Sequence, residues 1–465
     1  MSGRIVLVVP FSHSHYVVPP IGLGYLATSL RNAGYDDIVI LDCIKDKLRP
    51  AQLARKVQEL KPQVIGFQVF SSDFAAARES MTQAKSAVPN ALIIAGGPHV
   101  SATGVRVLEE MPALDYAFAG EAEIGFPLLM DRALRARTLD IREIPGLMWR
   151  NGNGSHANPR AFIKDLDALG FPAWDLMPPN TYPDAPQGAF YKQFPIAPVA
   201  TSRGCPYGCA FCGSPVNMGR QLRFRSLSHV FAEMEMLHST YSVKEFHFID
   251  DMFNASKRRV MEFCRVLEAK AWGISYSFPN GLRLNSLDRE MLDAMKRSGA
   301  YAFTVGIESG SQRVLDLMNK HLTLDMIREK VNLIYQAGLE PSGFFLLGFP
   351  GETKEEMRMT VNLAKSLPLK RAHFSNFLPL PGTAATAQLL ASGEIDEPDW
   401  TTLCYAKVPY VPRGMTKEEL KAFQRRAFLE FHLRPRILFK MISEIKSPFH
   451  LLSILRRARD YLFSR

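Results

Sequence analysis

The chain has 465 residues, 47% hydrophobic and 22% charged, enough for two or three domains with cores of their own. No apolar run reaches membrane-spanning length, and the opening residues read as a buried strand rather than a signal peptide, so a reducing, cytoplasmic setting is expected. The formal net charge of +10 is uneven: residues 413–465 hold thirteen Lys/Arg against five Asp/Glu, which leaves the rest nearly neutral and argues against a nucleic-acid-binding surface.

The first ~135 residues alternate short apolar, β-branched segments with helix-period stretches. Strands are expected at 5–9, 38–41, 64–70, 92–95 and 116–119, and helices near 22–33, 51–60, 74–87, 105–111 and 124–135. This pattern predicts an α/β fold with a doubly wound parallel sheet covered on both faces and ligands at the carboxyl ends of its strands. The residues there are small or polar: Ser71-Ser72 after the third strand, Gly96-Gly97-Pro98-His99 after the fourth, Gly120-Glu121 after the fifth. They would let a bulky flat ligand approach the backbone, although glycine at a strand end also makes an ordinary turn. Gly22-Leu23-Gly24-Tyr25-Leu26-Ala27, followed by Asp42, has the spacing of a dinucleotide fingerprint. A loop from Pro10 to Pro20 separates it from the first strand, which argues against a nicotinamide or flavin site.

A stretch rich in Pro, Gly, Asn and Asp reads as a linker over 141–195, closing a first domain of 1–140. Alternation then returns over 196–385, with strands expected at 198–202, 245–249, 275–278, 302–307, 343–347 and 373–377. Six βα units predict a partial (β/α)6 barrel with its site at the carboxyl ends of the strands. Every unusual motif falls there: a cysteine run, then Asp250-Asp251, Asn280-Gly281-Leu282-Arg283, Gly306-Ile307-Glu308-Ser309-Gly310, Gly348-Phe349-Pro350-Gly351-Glu352-Thr353 and Pro379-Leu380-Pro381-Gly382-Thr383. Residues 386–465 form a mostly helical, basic segment. Thr416-Lys417-Glu418-Glu419 is a capping box. The last stretch mixes Leu, Ile and Phe with Arg, and either packs on the body with a solvated basic face or lies on an anionic membrane as a peripheral contact.

Three of the six cysteines stand within eight residues, Cys205-Pro206-Tyr207-Gly208-Cys209-Ala210-Phe211-Cys212. Clustered thiolates point to a shared soft metal centre. Structural zinc would want a fourth ligand, and His229 and Cys264 lack paired spacing. A disulfide framework does not suit a long chain without a leader. Three thiolates on a four-iron cluster leave one iron open to a cofactor or substrate. Cys43, Cys264 and Cys404 read as packing residues.

This C-x3-C-x2-C run, with Asp250-Asp251-Met252-Phe253 and Gly306-x-Glu308-Ser309-Gly310, resembles radical S-adenosylmethionine (SAM) enzymes that carry an N-terminal cobalamin-binding domain. Pro19-Pro20-Ile21-Gly22-Leu23-Gly24, Gly96-Gly97-Pro98-His99 and Gly120-Glu121 resemble that domain, and Leu433-Arg434-Pro435-Arg436 extends the likeness into the tail. The group includes methyltransferases and proteins like the anaerobic Mg-protoporphyrin ester cyclase. The resemblance implies a [4Fe–4S] cluster on Cys205, Cys209 and Cys212. It implies SAM held by Asp250 or Asp251 at its amine, Glu308 at the ribose, Arg283 at the carboxylate and Phe211 beside the adenine. Cobalamin would lie against Ser71, Ser72, Gly96, Gly97, Gly120 and Glu121. Plainer roles stand beside these: the acid pair could cap the next helix, Arg283 could form a surface salt bridge and Phe211 could be a core aromatic.

One departure is notable. Many cobalamin domains carry D-x-H-x-x-G after the first strand; here the loop has His13 and His15 without the matching Asp or Gly. The resemblance then implies a cobalt with no protein histidine, and leaves room for a domain that binds no cobalamin. The expected activity is methyl transfer to an unactivated carbon of a small-molecule substrate. It would be driven by an external one-electron reductant such as flavodoxin or ferredoxin. Radical cyclisation, rearrangement or oxidation is the enzymatic alternative, and a non-catalytic iron–sulfur protein of electron transfer or sensing the alternative of another class.

Overall fold

Runs such as Ile5-Val6-Leu7-Val8 are apolar at every position, and in the computed structural model all four are wholly buried, as strands covered on both faces must be. The structure describes residues 3–12, 16–135, 140–184, 190–396, 400–403 and 408–463. Strands β1 (Ile5–Val9), β2 (Ile38–Asp42), β3 (Val64–Gln68), β4 (Leu92–Gly96) and β5 (Tyr116–Phe118) pair in parallel in the order β2-β1-β3-β4-β5. The order reverses beside β1, which opens a crevice at the carboxyl ends of the strands. One apolar layer on the sheet contains Leu53, Phe74 and Met81, another Leu30, Phe126 and Leu129, so helices cover both faces.

The expected linker departs from the sequence reading. β6 (Leu147–Asn151) and β7 (Gly154–Ala157) form a hairpin that joins this sheet antiparallel to β5. Its tip, Asn151-Gly152-Asn153-Gly154, is a strong hairpin signal that loop-like composition obscured. The sheet therefore takes in residues beyond 140. Gly24 also has a packing reason: a Cβ there would stand 2.2 Å from Met177 Cε. Asp42 accepts the backbone N–H groups of Ile44 and Lys45 and forms a turn.

The second sheet contains β8 (Ile196–Val199), β11 (Glu245–Phe248), β12 (Ser275–Leu282), β13 (Ala300–Glu308), β14 (Glu340–Leu347) and β15 (Arg371–Asn376), all parallel and in sequential order. A short antiparallel ribbon, β9 (Ser202–Arg203) with β10 (Arg223–Phe224), flanks the cysteine loop. β8 lies two residues earlier than expected. The sheet is an open barrel, and the helix Lys417–His432 covers its last strand: Gln424 donates to the Phe374 carbonyl and Asn376 donates to Gln424. Thr416 and Glu419 cap that helix reciprocally, as the sequence predicts. Among the described residues no helix is long and apolar enough to cross a membrane.

Candidate active site

The cysteine loop leaves β9 through Gly204, whose φ is +95° and where a Cβ would stand 2.3 Å from the Gln221 carbonyl, so a side chain is excluded. Loops from other strand ends hold it. Ala210 N–H donates to the Met318 carbonyl and Asn319 Nδ2 to the Gly208 carbonyl, each at 2.9 Å. The Arg283 guanidinium lies 3.3 Å over the Tyr207 ring. Cys205, Cys209 and Cys212 are half-buried free thiols, whereas Cys43 and Cys264 are buried; Cys404 lies outside the described residues. Burial, with smaller effects of neighbouring charges, pushes the Cys212 thiol up to about 11. Such a thiol is a poor lone nucleophile, and deprotonation needs a cationic centre. Among the described residues no three His, Cys, Asp or Glu side chains converge on one metal ion. Three neighbouring thiols on one loop fit a cluster in which each thiolate takes a different iron.

The two acids at the end of β11 part company. Asp250 is buried, and its Oδ1 accepts from Thr201 N at 3.0 Å, Thr201 Oγ1 at 2.8 Å and Ser202 Oγ at 2.5 Å. It staples the turn between β8 and β9. Asp251 is exposed beside the cysteine loop. Of the expected pair, Asp251 is therefore the more accessible, with Ser214 beside its carboxylate. Arg283 donates to Asn285 Oδ1 and the Lys320 carbonyl, so with Tyr207 it braces the cysteine loop rather than forming a carboxylate salt bridge. Glu308, at φ +67°, accepts from Lys320 Nζ at 2.6 Å, and Lys320 Nζ lies 5.7 Å from the centre of Phe211. A Cβ on Gly306 would meet both charged groups at 2.6 Å. Phe211 packs beside Phe349, Phe377 and Tyr410.

Lys320 was not found from sequence because it follows the helix Gln312–Leu317 outside any strand-end motif. His373 was missed too. On β15 its neighbours Ala372 and Phe374 face the helical coat, so His373 points to the concave side, where its ring stands 5.4 Å from Phe344.

At the N-terminal sheet, Gly97 has φ +109°, and a Cβ there would stand 2.9 Å from the Val69 carbonyl. Phe70 is exposed and Ser72 half-buried at the same end. A bare, narrow strand end fits a broad planar ligand. His99 is wholly buried: Nδ1 meets Ser71 Oγ at 3.0 Å, Nε2 faces Glu110 at 3.7 Å, and Trp400 donates to Glu110 at 3.0 Å. Turned inward, His99 cannot replace the absent D-x-H-x-x-G histidine; His13 and His15 lie outside the described residues.

Glu121 has a different place from the one expected. Arg223 grips its carboxylate with two bonds of 2.8 Å, Ile163 N donates at 2.7 Å, and Arg203 stands 3.2 Å away. It ties the first sheet to the β9–β10 ribbon. Beside it, Ser101 Oγ accepts from Gly120 N–H and donates to Asn217 Oδ1, each at 2.9 Å. The helix after Gly97 (Pro98–Thr103) is thereby joined to the helix after Cys212 (Ser214–Met218). Leu378 and Leu380, beyond β15, pack into the first domain's core. The carboxyl ends of the two sheets are thus held together by buried contacts.

Fold and cysteine geometry define a radical SAM enzyme. The Radical SAM superfamily model matches residues 199–364, and the B12 binding domain model matches residues 8–130. An uncharacterized methyltransferase of Pyrococcus horikoshii is 32% identical over 448 residues, covering 95% of both chains. The chain therefore belongs to the radical SAM enzymes with an N-terminal B12-binding domain. Cytidylyl-2-hydroxyethylphosphonate methyltransferase of Streptomyces wedmorensis is 29% identical, over 81% of this chain and 79% of that one. Anaerobic magnesium-protoporphyrin IX monomethyl ester cyclase of Cereibacter sphaeroides is 28% identical, over 90% and 68%. The fold is shared with the radical SAM methyltransferase TsrM of Kitasatospora setae, solved with cobalamin and a [4Fe–4S] cluster (TM-score 0.69, 20% identity, 84% of this chain and 75% of that one). It is also shared with the cobalamin-dependent radical enzyme OxsB (TM-score 0.76, 16%, 98% and 71%).

Proposed function

We propose that the protein is a cobalamin-dependent radical SAM methyltransferase acting on an unactivated carbon of a small molecule. The observation that carries this reading is the docking of Pro98–Thr103 on Ser214–Met218, which keeps the two strand-end sites in register. When bound, the reduced [4Fe–4S] cluster with SAM supplies hydrogen abstraction, and cobalamin supplies the methyl group.

The chain's own residues bind and orient. Cys205, Cys209 and Cys212 would hold three irons. Asp251 would accept from the methionyl amine, Glu308 with Lys320 would meet the ribose, and Phe211 would flank the adenine. Ser71, Ser72, Gly96, Gly97 and Gly120 would line the cobalamin face. Asp250, Arg283 and Glu121 keep the walls in place. The residues after Leu378 help exclude water by closing the seam between the domains. The reading includes a reducing cytoplasmic compartment, an external one-electron reductant such as a flavodoxin or ferredoxin, and peripheral membrane contact through the basic C-terminal segment.

Anaerobic reconstitution with iron, sulfide and hydroxocobalamin tests this. About four irons and one tightly held cobalamin per chain are expected. With substrate, deoxyadenosine and S-adenosylhomocysteine should form in similar amounts beside a product gaining one carbon. Deoxyadenosine alone would replace methyl transfer by radical cyclisation, rearrangement or oxidation.

A further inference from the structure

Of the sixteen exposed large apolar side chains in the described residues, seven lie between Leu433 and Leu455. In the helix Pro435–Ser443, Ile437 and Met441 pack on the barrel core, which turns Leu438, Phe439 and Ile442 outward. Phe439 is 76% exposed, more than any other large apolar side chain described. In the helix Pro448–Phe463, His450 is buried against Phe190 and Tyr191, while Leu451, Leu452 and Leu455 face out. A terminal helix pair that only completed the core would bury these residues and leave its cations outside. Here both are outside, and exposed apolar groups at this density mark an interaction surface.

The charge indicates the partner. Residues 434–463 contain seven Lys/Arg and two acids, Glu444 and Asp460. Glu444 is ion-paired inward with Lys370 and Arg371, so it does not offset the outer cations. Arg436, Arg456 and Arg459 are exposed around the apolar residues, whereas Lys440 stands 3.7 Å from Glu340 and Lys446 donates to the Lys192 carbonyl. A second copy of the chain would bring the same positive field against itself. A nucleic acid would match the charge but not Phe439, Ile442 and Leu452. An anionic lipid surface matches both, with acyl chains for the apolar side chains and phosphates for the cations.

We propose that the helices Pro435–Ser443 and Pro448–Phe463 form an interfacial docking surface for an anionic phospholipid bilayer. Leu438, Phe439 and Ile442 enter the acyl boundary, and Arg436 and Arg456 lie at the headgroups.

The test is flotation of the full, cluster-reconstituted chain with phosphatidylcholine vesicles and with vesicles containing ~30% phosphatidylglycerol. Binding is expected to the anionic vesicles alone and to weaken with salt. The double variant F439S/I442S should lower partitioning at least about tenfold, because two apolar anchors are removed. R456E should lower it by more than about fivefold, because a cation is replaced by an anion. All these side chains are exposed, so unchanged iron content and circular dichroism separate loss of docking from misfolding. No binding at low salt would overturn the proposal, as would binding that F439S/I442S leaves intact. A dimer that F439S/I442S dissociates, without vesicle binding, would overturn it in favour of self-association.

Discussion

Glu121→Gln isolates one of the contacts that hold the two domains together. The side chains of Glu121 and Arg223 are 2% and 5% exposed. Glutamine keeps the shape, but in either orientation its amide nitrogen faces an Arg223 nitrogen, and in one of them the Ile163 N–H as well, donor against donor. Removing one partner of a buried pair costs ~3–5 kcal/mol. Arg223 retains the carbonyls of Ile163 and Met218, at 2.7 and 3.0 Å, so the lower end applies, about 3 kcal/mol. Urea unfolding of the chain, with Arg223→Met and the double variant completing a cycle, should give a coupling above about 1 kcal/mol. The pH dependence has a definite sign. Burial raises the Glu121 pKa, but the Arg223 hydrogen bonds and the Arg203 charge outweigh it and hold the carboxyl below its ordinary range. The stabilisation is therefore fully present above the unfolded carboxylate pKa, about 4.3, and is lost as pH falls through the folded value. A loss below about 1 kcal/mol at pH 7, or a wild-type advantage that does not shrink in acid, would refute the reasoning.

The acids at the end of β11 should separate cleanly: Asp251→Asn is expected to weaken SAM binding at least about tenfold with an unchanged unfolding midpoint, whereas Asp250→Asn should destabilise the fold by ~2 kcal/mol; calorimetry and urea titration distinguish them. Gly97→Ala should reduce cobalamin retained after desalting, since a Cβ meets the Val69 carbonyl at 2.9 Å, while iron content stays the same. His432, 8% exposed, has its pKa pushed down to about 4 by burial and by Arg371 and Arg434. Its stabilisation is thus present above about pH 6.5 and is lost as pH falls toward 4, an order of ~3 kcal/mol that His432→Leu should remove from the urea pH profile.

Local signals carried much of this protein. Short apolar, β-branched runs separated by helical periods determined two parallel sheets: the N-terminal strands are buried on both faces, while the barrel strands keep polar side chains such as Glu245 and His247 among their apolar ones. The cysteine spacing, with Asp251 and Glu308 at later strand ends, pointed to one rim of the barrel, because a parallel barrel gathers its strand-end loops there. Even the missed β6–β7 hairpin had an Asn-Gly turn in the sequence.

Other assignments depended on contacts between residues far apart in the chain. Asp250 and Asp251 are adjacent and chemically identical; only the packing of Thr201 and Ser202 makes the first a staple and leaves the second open. Glu121 reads as a strand-end ligand until Arg223, more than a hundred residues later, closes on it. Lys320 belongs to no strand-end motif, yet the fold brings it to Glu308 and Phe211. The basic tail fits either a packed or an exposed helix by periodicity alone, since periodicity gives the faces of a helix and not their surroundings. Tertiary structure settles that question, because Ile437 and His450 find partners on the body and Phe439 and Leu452 remain outside.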